Sequence, residues 1–174
     1  AAPASQPSLA RATFRFFAGG AAGLALHESG HLVTALATGT TPGIEGVRGA
    51  GIPFFAITHG AVSPPKEFVI SSAGFWMQHG VNELLFARHP DLRERSAPFL
   101  KGMLAFNLVT SAIYTGAAIT RHGPLQRDTR GMALSADVPE PWIGVSVLVP
   151  AALDAARYYR PQSSWLKWSS RGAK

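Results

Sequence analysis

Residues 14–38 read FRFFAGGAAGLALHESGHLVTALAT, and inside this run stands His27-Glu28-Ser29-Gly30-His31. A stretch of this length and low charge predicts a helix able to cross a hydrocarbon layer of ~30 Å. On a helix, positions i and i+4 share a face, so both imidazoles can reach one metal ion. Glu28 follows the first of them but lies about 100° round the helix, where it can hold a water at the metal's open position. A bound zinc ion lowers the pKa of such a water, and the carboxylate takes its proton as a carbonyl is attacked. Two buried histidines satisfied by hydrogen bonds would also fit the spacing, but they leave Glu28 unexplained. Ionisable groups in an apolar segment are costly and mark function. Gly19 and Gly23 add a GxxxG, a pattern that lets helix backbones approach closely.

Three further segments have the same character: residues 67–87, 99–120 and 141–159. Pro141 is well placed to open a helix. Between the first two segments lies GTTPGIEGVRGAGIPFFAITHGAVSPP, whose short apolar runs, 52–57 and 61–62, are broken by Gly and Pro. That pattern predicts strands in a hairpin. The expected fold is an all-α membrane protein of about four transmembrane helices, with a short membrane-associated β-hairpin between helices 1 and 2. Residues 1–13 are expected as a flexible N-terminal segment, 14–160 as the membrane-embedded domain, and 161–174 as a basic C-terminal tail.

Composition narrows the function classes. Of 174 residues 47% are hydrophobic and only 15% charged, against roughly 25% charged in an ordinary soluble domain. Intrinsic disorder is excluded. The net charge of +6 comes from Lys and Arg scattered between apolar blocks, which argues against a nucleic-acid module. Without Cys, disulfide frameworks and thiolate metal sites are excluded. The start AAPASQPS, without Met, fits a removed signal peptide or the trimmed start of a longer chain. Trp165 and Trp168 beside Lys167 fit a membrane–water interface or an exposed tail.

The His-Glu-Ser-Gly-His string, with HLVTALATG following it, resembles the intramembrane zinc metalloproteases of the site-two protease family. Ile70-Ser71-Ser72-Ala73-Gly74 is similar to that family's Ile-Ser-x-Ala-Gly signature, and Asn107-Leu108 to the Asn-Leu preceding its aspartate ligand. The hairpin sits where the family places a membrane-associated β element. The resemblance covers about residues 14–131. It implies zinc held by His27, His31 and an aspartate, with Glu28 as general base, and hydrolysis of a transmembrane or membrane-adjacent protein segment. It departs from the family in one respect: no Leu-Asp-Gly is present, and 20 residues lie between Asn107 and Asp128. Asp128 is the best third ligand, since carboxylate oxygen completes a His₂ zinc site. The competing reading is a solvated acid paired with Arg127 and Arg130.

Other residues are open to two readings. His79 and Glu83, also i and i+4, with Asn82 and Asn107, could shape the site or contact substrate, or simply bond one another. His59 could touch substrate or belong to a surface turn. His89 and His122 stand at segment ends, and Asp154 has Arg157 and Tyr158 within one turn, enough for a local ion pair. An alternative function is a non-proteolytic accessory or structural subunit of a larger membrane complex that retains the metalloprotease scaffold. A soluble zinc peptidase would need Glu45 or Glu67 as a ligand, and neither sits in a helical motif. With four spans, one side carries Arg48, Lys66, Arg121, Arg127 and Arg130, and the other carries the remaining 11 of the 16 Lys and Arg residues. Positive charge favours the cytoplasmic side, so both termini are expected inside. The Gly-, Ala- and Arg-rich composition fits a bacterial inner membrane.

Overall fold

The computed structural model describes residues 8–49 and 52–174. Ser8 caps the first helix, its Oγ accepting from the Arg11 N–H at 3.4 Å as N-cap serines do. Helix α1 (Leu9–Ala37) therefore starts five residues earlier than the expected boundary at residue 14; residues 1–7 of the expected flexible segment lie outside the described residues. The chain turns at Gly39 (φ 76°) into strands β1 (Pro42–Gly49) and β2 (Ile52–His59), an antiparallel pair with Ile44 opposite Ile57. The hairpin stands in the expected interval, and the apolar run 52–57 forms β2. Residues 61–62 stay outside the strands, and β1 comes instead from the Gly-rich PGIEGVRG.

Prolines in the first turn, where no intrahelical N–H is needed, open three helices. These are α2 (Pro64–Arg88), α3 (Pro98–Thr120) and α5 (Glu140–Tyr159). Two helices were not foreseen: α4 (Asp128–Ala136) and α6 (Ser164–Gly172). Each has nine residues, so periodicity had little room to show. RDTRGMA reads as a charged connector and SSWLKWSSRG as a tail. The expected tail is thus largely a docked helix, with Leu166 and Ser170 buried beneath it.

Helix α1 packs between α2 and α3, α3 also packs on α5, and α4 lies against α2. The α1–α3 crossing is a backbone contact. A Cβ at Gly19 would run into the Phe99 carbonyl, and one at Gly102 into the carbonyl of Phe16. The GxxxG is half used in this way, since Gly23 faces the Phe106 ring instead. Backbone cannot move aside as a rotamer can, so Gly102→Ala should force the helices apart. The expected loss is about 1–3 kcal/mol, measurable as a lower unfolding midpoint, with Gly116→Ala, which meets nothing within 4 Å, unchanged.

Among the described residues, one helix, α3, is long and apolar enough by composition to cross a membrane, and not about four. Helices α1, α2 and α5 have the length, but their hydropathy is diluted by His27, Glu28 and His31, by Gln78, His79, Asn82 and Glu83, and by Asp154 and Arg157. All of these except Glu83 are buried.

Candidate metal centre

One turn of α1 aims His27 and His31 at the first residue of α4. Both Nε2 atoms stand at hydrogen-bonding distance from Asp128 Oδ2, 3.0 Å for His27 and 3.3 Å for His31, and 3.2 Å from each other. The three side chains form one buried to half-buried group whose ligand atoms all lie within 4.8 Å. The expected His₂Asp set is therefore brought together, and Asp128 is neither solvated nor paired with its neighbouring arginines. Burial pushes the Asp128 carboxyl up, but His31 and His27 outweigh it and hold the group well below the usual carboxylate range.

The donor set fits a divalent cation. Ligands at 2.0–2.1 Å in a tetrahedral zinc site are about 3.3 Å apart, close to the spacings found. The outer ring nitrogens differ. His31 Nδ1 is 2.8 Å from the Ile70 carbonyl, an arrangement that keeps the proton there and leaves Nε2 for a metal. His27 Nδ1 is buried and has no hydrogen-bond partner among the described residues. The His27 ring is wedged instead between Gly74, where any Cβ would strike it, and the rings of Phe75 and Tyr114 at 5.6 and 6.1 Å.

Glu28 points to the hairpin. Its Oε2 accepts the Ile57 N–H at 2.8 Å, so the outer edge of β2 lies over the α1 motif. Three contributors escape sequence reading: the Ile57 N–H, the Ile70 carbonyl and Tyr114. The first two are backbone groups without a residue-type signal. Tyr114 could have been found, for it lies seven residues beyond Asn107 along the α3 face that buries Asn107 and Ser111.

The remaining candidates, His79 excepted, have partners away from the His/His/Asp group. Asn107 Nδ2 donates to Asn82 Oδ1 at 2.7 Å, and Asn82 Nδ2 to Asp154 Oδ2 at 2.9 Å. Asp154 also accepts from Lys174 at 2.9 Å; the expected local pair with Arg157 does not form. Arg157 reaches across to Glu83, which also accepts from Arg171 and Lys174. His79 is buried, with Nδ1 unpartnered among the described residues. His59 donates to the Gly60 carbonyl at 2.8 Å and stands 3.6 Å from Glu67.

Asp128 is held from both sides. Arg127 gives Glu140 a bidentate pair at 2.6 Å for each bond, and Thr129 Oγ1 donates to the same carboxylate at 2.9 Å. Breaking one partner of a buried pair costs about 3–5 kcal/mol. Glu140→Ala should therefore lower stability by about 3 kcal/mol and, by loosening Asp128, weaken metal uptake roughly 10–100-fold. Metal titration of the purified variant checks this, and unchanged affinity would show that α4 is positioned by other contacts. Comparison with protein-family models, curated proteins and solved structures found no match for this chain.

Proposed function

We propose that this chain is a zinc-dependent endopeptidase of the site-two protease type, hydrolysing peptide bonds of membrane-protein segments within or at the edge of a bilayer. The observation that carries the reading is the convergence of His27 and His31 from one helical turn with Asp128, 101 residues away from His27, with Glu28 adjoining. His27, His31 and Asp128 would hold the ion, which supplies Lewis-acid activation of water and of the scissile carbonyl. Glu28 accepts the proton of the attacking water and delivers it to the departing amine nitrogen as the C–O bond forms and the C–N bond breaks. The edge of β2 can add an extended substrate as a third strand, reading backbone rather than side chains.

Four spans in a bilayer, α1, α2, α3 and α5, belong to the same proposal. Their support is the distribution of polarity. Phe14, Phe17, Val33, Val69, Trp76, Ile113 and Trp142 are each more than half exposed, while His27, Gln78, Asn82, Asn107 and Asp154 are each at most 2% exposed. Water selects the reverse; hydrocarbon selects polar groups turned inward. The accessory-subunit alternative draws on one observation, that the Glu28 carboxylate is already engaged by Ile57.

The direct test incubates the purified protein, zinc-loaded or chelated, with transmembrane-segment peptides and reads the fragments by mass spectrometry. Zinc-dependent cleavage is expected. Intact peptides in both arms, with zinc bound, would favour the accessory role.

A further inference from the structure

A cavity of about 400 Å³ lies far from the candidate metal centre, between the α2–α3 connector, the end of α5 and helix α6. Phe86, in its wall, is 12 residues along α2 from Gly74, which adjoins His27, so the two are separated by roughly 18 Å. Four cations line the cavity, Arg93, Arg157, Lys167 and Arg171, and no carboxylate does among the described residues.

Glu83, outside the lining, pairs with two of these cations, Arg157 and Arg171, and leaves Arg93 and Lys167 to the cavity. It takes Arg157 Nη1 at 2.5 Å, Arg171 Nε at 3.0 Å and Lys174 Nζ at 2.8 Å. Each arginine spends one nitrogen on it and retains others, and a guanidinium offers five N–H donors in a planar fork that suits phosphate. Lys167 is exposed and makes no side-chain hydrogen bond among the described residues. Arg157 is 5% exposed, with its guanidinium 4.7 Å above the Phe86 ring and Nη1 also 3.2 Å from Ser170 Oγ. The cavity is therefore built around a buried cation, with Lys167 and Arg93 at its rim, the latter also donating to the Tyr159 carbonyl at 3.2 Å.

The rim decides between a soluble and a lipid phosphate. Helix α6 buries Leu166 and Ser170 and turns Trp165 and Trp168 outward, 69% and 67% exposed, with the Arg171 guanidinium 5.6 Å from the Trp168 ring. Tyr159 is exposed beside Arg93. Indole and phenol rings interleaved with Lys and Arg favour the headgroup level of a bilayer, and basic pockets at that level bind anionic headgroups. We infer that this cavity binds the phosphate of an anionic phospholipid headgroup, fastening α6 to the membrane surface. The inference rests on the bilayer reading above.

Detergent-solubilised protein titrated with phosphatidylglycerol, and separately with phosphatidylcholine, tests it by native mass spectrometry. One saturable phosphatidylglycerol per chain is expected, with phosphatidylcholine at least tenfold weaker. The double variant Arg93→Gln/Lys167→Gln touches neither Glu83 nor the metal ligands. It should bind phosphatidylglycerol roughly 30-fold more weakly, with metal content and unfolding midpoint unchanged. Unchanged affinity in that variant overturns the assignment. Glycerol phosphate or inorganic phosphate competing as strongly as the lipid also overturns it, in favour of a soluble phosphate. Vesicle insertion separates the two readings: a chain that enters neither lipid overturns the bilayer reading and the lipid with it. One that inserts in both yet shows no phosphatidylglycerol site overturns the cavity assignment alone.

Discussion

Glu28→Gln should lower peptide hydrolysis by about 10²–10⁴-fold while leaving metal content at its wild-type value. The amide preserves the shape of the side chain and can still accept the Ile57 N–H through its carbonyl oxygen, so the 2.8 Å tie to β2 survives. What it loses is the ability to take a proton from water. A merely structural Glu28 predicts the opposite pattern, with turnover little changed and any loss following stability. Parallel measurement of cleavage rate, bound metal and unfolding midpoint separates them. Equal rates for the variant and the wild type would remove Glu28 from the chemistry.

His31→Ala should abolish stoichiometric metal binding. Three ligands share a binding free energy of order 10–16 kcal/mol in tight zinc sites, so losing one costs roughly 3–5 kcal/mol, or 10²–10⁴ in affinity. His31 also loses its bond to the Ile70 carbonyl at 2.8 Å, so its replacement touches α1–α2 packing too. Asp128→Asn is the gentler companion, keeping the size and removing the charge. His59→Ala, away from the group, should retain full metal content. Zinc at one per chain and undiminished affinity in His31→Ala would overturn the His27–His31–Asp128 assignment.

The α1 motif was legible because its information is local: two imidazoles four residues apart need only a helix to share a face. Asp128 was legible in chemistry but not in place. Its residue type suits a third ligand, yet what brings it under His27 is distant in sequence: the packing of α4 on α2 and the Glu140 clamp on Arg127 and Thr129, more than ten residues downstream. The partners of Glu83 lie 74 to 91 residues away, beyond any pattern of spacing. That is why Asp154 and Arg157, one turn apart, looked sufficient to each other. Helix α6 was hidden for a related reason. It is only nine residues long and five of them are polar or basic, so its helical pattern had little length in which to show, and Leu166 and Ser170 dock onto the bundle.

The sequence separation of His27 and Asp128 also has a temporal meaning. At roughly 5–20 residues per second of synthesis, the 101 positions between them take about 5–20 s to emerge. During that interval the two imidazoles and Glu28 exist without their carboxylate. The nascent chain passes that interval with an incomplete set of candidate ligands, which closes only when α4 docks. Under the proposed function, a nascent chain halted before Asp128 would hold a helix that carries the motif but lacks its third ligand. For the proposed hydrolysis, late arrival of a single acid would act as a timer, written into the order of the chain.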